Sequence, residues 1–304
     1  MEPTETIIKV GKYKFKITDN TLSARGQIYS RNFKIGGNNL DCMHISISYK
    51  ENIPVSASIP HIMYDPECSL NIHLDRGQGS IIMIKTLLKH VHEKMPTITE
   101  VHFEDKSHIE CASEYEIQKK DSKFRKKGTH IYPIPLYYFS ISFNGKTWYE
   151  KHFKAKQQNI SKHAAYREKI NELLHSEHVK MATSYLQFLE TAQPPMEIVD
   201  ELEHYFNSSK TFETFFQSIP KKDRCRLVRD WISVFMSFHL KDVFDNNDWI
   251  MDLPLVNGLS GGLRGNKSGN INGENRTTRK YYCPRGRIMH KKTYRDFGVD
   301  MNYV

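Results

Sequence analysis

The chain has 304 residues, of which 38% are hydrophobic and 26% charged, enough for a sizeable core and far from the bias of a disordered or fibrous protein. No apolar run approaches the ~18–20 residues that cross a bilayer, so no membrane partner is expected. The net charge of +9 is uneven: Leu253 to Val304 holds ten Lys and Arg against three acids, +7 of the total, and leaves the other 252 residues nearly neutral.

The five cysteines (Cys42, Cys68, Cys111, Cys225, Cys283) are scattered and odd in number, and no CxxC occurs. That usage predicts free thiols in a reducing compartment. The opening MEPTETIIKVGKYKF has neither the basic n-region nor the apolar h-region of a secretory signal. A cytoplasmic, non-secreted protein is the expectation.

Residues 4–18 read as two short strands about Gly11-Lys12, and residues 21–35 hold a third. Gly36-Gly37-Asn38-Asn39 is a turn. Met43 to Tyr49 alternates as a strand should, and Val55 to Met63 is its partner across Lys50-Glu51-Asn52. Leu70, Ile72 and Leu74 then alternate with Asn71 and His73, which predicts a strand. Asp75-Arg76-Gly77-Gln78-Gly79-Ser80 breaks it. From Ile81 the period changes: Ile84, Leu87, Leu88, Val91 and Met95 form the stripe of an amphipathic helix ended by Pro96. A strand feeding a helix through two glycines leaves N–H groups at the helix start, an anion site suited to phosphate.

Ile98 to Phe103 reads as a strand and Glu114 to Lys127 as a basic, helical link. Tyr137 to Phe143 and Thr147 to Phe153 read as a strand pair about the hairpin signal Asn144-Gly145. From Asn159 onward only helices are expected: one capped by Ser161, one over Met181 to Thr191, one over Met196 to Phe206, a short aromatic one over Thr211 to Ile219, and a long one from Lys221 to Phe244. Residues 257–280 are rich in Gly, Asn and Ser and are expected to be disordered. The fold class is therefore α+β. A mixed, mainly antiparallel sheet with one strand–turn–helix core covers residues 1–155, a helical module 156–252 and a disordered basic tail 253–304.

The loop Arg76-Gly77-Gln78-Gly79 resembles the pyrophosphate loop of the GNAT-type acyltransferases, Gln/Arg-x-x-Gly-x-Gly/Ala between a strand and a helix. Arg76 fills the first position and Gly79 the fourth. Ile81 stands at the sixth, where the family has a small residue and where isoleucine would crowd the phosphates. The resemblance covers about residues 43–153; the family's helical pair after its first strand is not evident in residues 19–42. It implies acetyl-CoA as cofactor, cradled by Arg76, Gly77, Gln78, Gly79 and Ser80, and acetyl transfer to an amine. Such transfer needs a base for the ammonium and an acid for the leaving thiolate. The resemblance places these roles at Glu104 and Tyr115, although CASEYEIQ around Tyr115 departs from the family motif.

The sequence raises three other chemistries. Cys68, His73, His108 and Cys111 match no common zinc spacing, and no metal is expected. Gly261 to Ser268 is superficially similar to a P-loop, but Asn266 replaces the second glycine, and neither strand nor helix flanks it. Two basic clusters suit nucleic acid or an acidic protein surface: Lys119 to Lys127, and the tail with Arg276, Arg279, Lys280, Arg285, Arg287, Lys291, Lys292 and Arg295 beside Tyr281, Tyr282 and Tyr294. PLYYFSISFNGKTWYEKHFKAK and the helices after it, about residues 130–250, resemble uncharacterised proteins of large nucleocytoplasmic DNA viruses. That resemblance implies a host-cytoplasm or virion setting and brings no activity with it. The alternative to an acyltransferase, active or degenerate, is thus a non-enzymatic viral protein that binds nucleic acid or a virion partner through its tail.

Overall fold

The computed structural model describes residues 2–118 and 125–254, with 112–118 and 125–131 as backbone only. Five strands open the chain as an antiparallel meander: β1 (Thr4–Val10), β2 (Tyr13–Ala24), β3 (Gln27–Gly36), β4 (Asp41–Lys50) and β5 (Ile53–Ile62). Their alternation sorts side chains between two faces. Phe15, Ile17, Phe33, Ile35, Ile45, Ile47, Ala57 and Ile59 are buried on one. Lys14, Lys16, Thr18, Lys34, His44, Ser46 and Ser58 stay wholly or partly exposed on the other.

Helix α1 (Gln78–Lys94) lies across the apolar face. His90 meets the edge of the Phe33 ring at 6.0 Å, and the Arg31 guanidinium reaches Met95 Sδ at 3.2 Å just past the helix end. Strand β6 (Glu100–Phe103) then pairs with β5 in parallel. The two-stranded hairpin β7 (His108–Gln118) and β8 (Arg125–Pro135) stands outside the main sheet.

The second half carries α2 (Leu136–Asn144), α3 (Trp148–Phe153), the two-residue strand β9 (Lys156–Gln157), α4 (Ile160–His175), α5 (Glu177–Ala182), α6 (Tyr185–Ala192), α7 (Met196–Asn207), α8 (Phe212–Ser218), α9 (Arg224–Val228) and α10 (Ile232–Leu240). Strand β10 (Trp249–Asp252) closes the described chain. It enters the main sheet between β6 and β9, giving the order β1-β2-β3-β4-β5-β6-β10-β9. The α+β expectation holds. The expectation that strands end at Asn159 does not, because β10 returns to complete the sheet beside β6.

The helices are organised by aromatic packing. Phe188, Phe206, Phe212, Phe215, Phe216, Trp231 and Phe235 are all buried, with Phe188–Trp231 and Phe212–Phe235 ring centres both 5.2 Å apart. Tyr149 of α3 packs on Phe103 of β6 at 4.8 Å, which joins α3 to the sheet. A single core runs from Tyr13 to Leu253.

Several sequence expectations are corrected. Residues 69–74 form no strand: only Leu74 is deeply buried, Ile72 is exposed, and Asn71 stitches the segment to β2 through Lys12 O (2.8 Å) and Lys14 N (2.7 Å). Glu114 to Gln118 and Arg125 to Lys127 are strand, not helix. The presumed hairpin over 137–153 is two helices. Gly145 is not a hairpin turn but the left-handed cap of α2 (φ 66°), with its N–H on Ile141 O at 2.7 Å. Thr147 and Glu150 then cap α3 reciprocally. Asn159, not Ser161, caps α4. The 181–191 helix divides into α5 and α6 where Ser184 caps the second. The helix expected from Lys221 to Phe244 divides into a 3₁₀ turn, α9 and α10.

The cysteines also differ from expectation. Cys42 is bonded to Cys68 and Cys111 to Cys225, and Cys283 lies outside the described residues. The first bond ties β4 to the turn at Pro66–Cys68, against which Gly37 packs so closely that a Cβ there would lie 1.9 Å from Glu67 O. The second ties the hairpin to α9. Neither pairing follows from spacing, because the partners are 26 and 114 residues apart.

Candidate functional site

The predicted coenzyme loop is intact as a glycine turn but not as an open anion cradle. Gly77, at φ 75°, is the N-cap of α1. The N–H groups of Gln78, Gly79 and Ile81 already donate to Arg76 O (3.1 Å), Asp75 O (3.0 Å) and Gly77 O (2.9 Å). Gly79 is required by packing: a Cβ there would lie 2.9 Å from Leu74 Cγ and 3.3 Å from Tyr13 Oη. Ser80 and Ile81 are buried, and the exposed Arg76 stacks its guanidinium over Tyr64 at 5.5 Å. Asp75 adds a negative charge to the turn. Its carboxylate accepts from Lys12 Nζ and Tyr13 Oη, both at 2.6 Å, and these bonds hold it below the usual carboxylate range.

The strand that α1 connects to β6 is β5, not residues 70–74. The parallel pair meets only at Ser58–His102 and Ile59–Phe103. Glu104 follows β6, partly exposed and ion-paired with Lys106 at 2.6 Å. Tyr115 sits on β7 opposite Gly128, where the family resemblance requires a helix. Of the proposed zinc ligands, Cys68 and Cys111 are consumed by separate disulfides. Among the described residues no three His, Cys, Asp or Glu are placed to hold a metal ion.

Sequence reasoning missed Asp105, one residue beyond Glu104. It is 2% exposed. One carboxylate oxygen accepts from Ser107 Oγ and from Ser107 N (3.1 Å), and the Asp105 N–H donates to Asn246 O at 2.7 Å. Burial pushes this carboxyl up to about 6, against the opposing effect of the Ser107 hydrogen bonds. Tyr137 is pushed up to about 12 by burial and by neighbours that include Asp105, and Tyr149 rises further for the same first cause. The hydrogen-bond network pins the end of β6 to the turn before β10.

The other feature missed is on the open face of the sheet. Glu5, Ile7 and Lys9 of β1, Lys14 and Lys16 of β2, Asn38, Leu70 and Asn71 line a shallow, half-open cleft. Lys9 and Lys14 are directly opposite each other. Like charges in that position destabilise a sheet pair. Lys16 Nζ donates to Asn38 O at 3.0 Å and lies 3.4 Å from the Glu5 carboxylate. Among the described residues Lys9 and Lys14 form no ion pair. An edge lysine alone serves to block stray strand pairing, but Lys14 and Lys16 stand one strand inside the edge. The period-2 alternation of Lys12, Lys14 and Lys16 against Tyr13, Phe15 and Ile17 was visible in the sequence, and it identifies one lysine-bearing face.

The tail residues Arg276, Arg279, Lys280, Arg285, Arg287, Lys291, Lys292 and Arg295 lie outside the described residues, as do the 261–268 loop and Lys119 to Phe124. Among the described residues no helix is long and apolar enough to cross a membrane. No known family model, curated protein or solved structure matches the chain.

Proposed function

We propose that the protein is a non-enzymatic binder of polyanions, with nucleic acid as the principal ligand. The observation that carries this reading is the uncompensated Lys9–Lys14 pair facing a cleft on the open sheet face. The tail supports it, since +7 of the net +9 falls within Leu253 to Val304. Lysine and arginine set against phosphates release counterions, so affinity should fall steeply with salt. Fluorescence anisotropy of a labelled duplex, read across salt concentrations, tests this. Replacing Arg276, Arg279, Lys280 and Arg285 with glutamine in the full chain should reduce the slope of log K against log salt by roughly 2 to 4. Replacing Lys9 and Lys14 should reduce it by up to about 2. Salt-independent binding, or none at low salt, would remove the proposal. The resemblance to viral proteins makes an acidic virion component the alternative ligand for the same charges.

A second reading, a GNAT-like N-acyltransferase using acetyl-CoA, is favoured by one observation. The β5–α1–β6 crossover joins two parallel strands that touch at only two positions. Thermal unfolding with acetyl-CoA, CoA and ATP separates the readings. At ~100 times its dissociation constant a specific coenzyme adds about 2.7 kcal/mol to the folded state. We expect no such shift at millimolar acetyl-CoA, given the occupied N–H groups of the loop. A shift shared by ATP and lost with Lys14→Glu would report the lysine cleft. One specific to CoA compounds and lost with Arg76→Ala would establish the coenzyme site.

A further inference from the structure

Among the described residues the main sheet ends on two unequal edges. The β9 edge is two residues long, whereas β1 presents all seven residues from Thr4 to Val10. An edge strand carries outward-facing N–H and C=O groups that another strand can pair with. Its side chains specify what that strand is. Glu5, Ile7 and Lys9 share the open face with Lys14 and Lys16, and Ile7 is 67% exposed.

We infer that β1 pairs antiparallel with β1 of a second copy, across a two-fold axis at Ile7, to make one continuous sheet of sixteen strands. The argument is one of symmetry and charge. An axis perpendicular to the sheet keeps the open faces of both copies on the same side. Paired residues must then share a face, and the axis must pass through a residue rather than between two. Centring on Thr6 sets Glu5 against Ile7 of the second copy, and centring on Ile8 sets Lys9 against Ile7. Centring on Ile7 uses the whole strand. It sets Ile7 against its own copy and places Glu5 opposite Lys9 at both ends. Opposite charges facing each other across a strand pair are favourable, and like charges unfavourable. The Glu5 side chain is 59% exposed and, among the described residues, is held only by Lys16 at 3.4 Å, so it is accessible to a partner. This inference does not rest on the polyanion reading; in the dimer Lys9 faces Glu5 of the second copy, and Lys14 remains as the cation open to a polyanion.

Sedimentation velocity of the full chain over a concentration series tests it. The wild type should pass from monomer to dimer. Lys9→Glu alone and Glu5→Lys alone each set like charges opposite one another twice, and each should weaken the dimer about tenfold. An equimolar mixture of the two variants restores opposite charges at both ends and should dimerise as the wild type does. Thermal unfolding of each variant checks that it is folded. A monomer at all concentrations would overturn the inference, as would a dimer unaffected by Lys9→Glu or single variants that do not rescue one another.

Discussion

Replacing Cys111 and Cys225 together by alanine should lower the stability of the chain by about 5 kcal/mol. The loop these residues close spans 114 positions. Cross-linking removes loop-closure entropy from the unfolded chain in proportion to the logarithm of that length. The same relation gives about 3.5 kcal/mol for Cys42 and Cys68, 26 positions apart. The longer loop matters for a second reason. Among the described residues the β7–β8 hairpin has no strand neighbour in the main sheet, and Cys111 is one of the groups that fix it to the helices through α9. Urea unfolding of the wild type and of each double variant, without reductant, measures both differences. Thiol counting on the denatured, unreduced chain should find one free cysteine of the five, Cys283. Five free thiols would show that neither bond forms, and that the sequence expectation of a reducing compartment was the better guide.

That expectation shows where sequence reasoning stops. The meander from Thr4 to Ile62 was legible in outline because its strands declare themselves by alternation and most of its turns by glycine or asparagine, although the single strand read in 21–35 ran through the Arg25-Gly26 turn between β2 and β3. Helices α1, α7 and α8 were legible for the same reason. Non-local facts were not. Cysteine pairing, the return of β10 to the sheet and the docking of residues 69–74 on β2 depend on contacts far apart in the chain. The segment from Leu136 to Phe153 failed differently. Its β-branched and aromatic residues favour strand, and Asn-Gly favours a hairpin, yet burial on all sides of Phe139, Ile141 and Phe143 lets helix prevail. The Thr147-x-x-Glu150 capping box was present in the sequence and would have decided the case. As for the site, the lysine face was missed although the alternation of Lys12, Lys14 and Lys16 with Tyr13, Phe15 and Ile17 carries it. Asp105 could not be found that way, because nothing local says that a carboxylate beside Glu104 will be enclosed.

Asp105→Asn should make the folded chain more stable by about 3 kcal/mol above pH 7, and should change it little below pH 4. The sign follows from linkage. Burial raises the folded-state carboxyl from 3.8 to about 6, so between these values the folded chain binds a proton that the unfolded chain has released. Stability from this group is complete below the unfolded value and is lost as pH rises through the folded one. Asparagine keeps the oxygen that accepts from Ser107 and removes the charge that burial penalises. The stability of the wild type alone would not reveal the effect. His152 and His239, both pushed down to about 4 chiefly by burial, act in the opposite sense, since their contribution is lost as pH falls from about 6.5 toward 4. The informative quantity is the difference between variant and wild type, measured by urea unfolding from pH 4 to pH 8, in which the histidine contributions cancel. A difference that rises from about pH 4 to about 6 and then levels would identify Asp105 as a buried acid that the fold tolerates to join β6 to the turn before β10. A flat difference would mean that Ser107 and its neighbours stabilise the charged carboxylate as fully as water does, and that the burial of Asp105 costs the fold nothing at neutral pH.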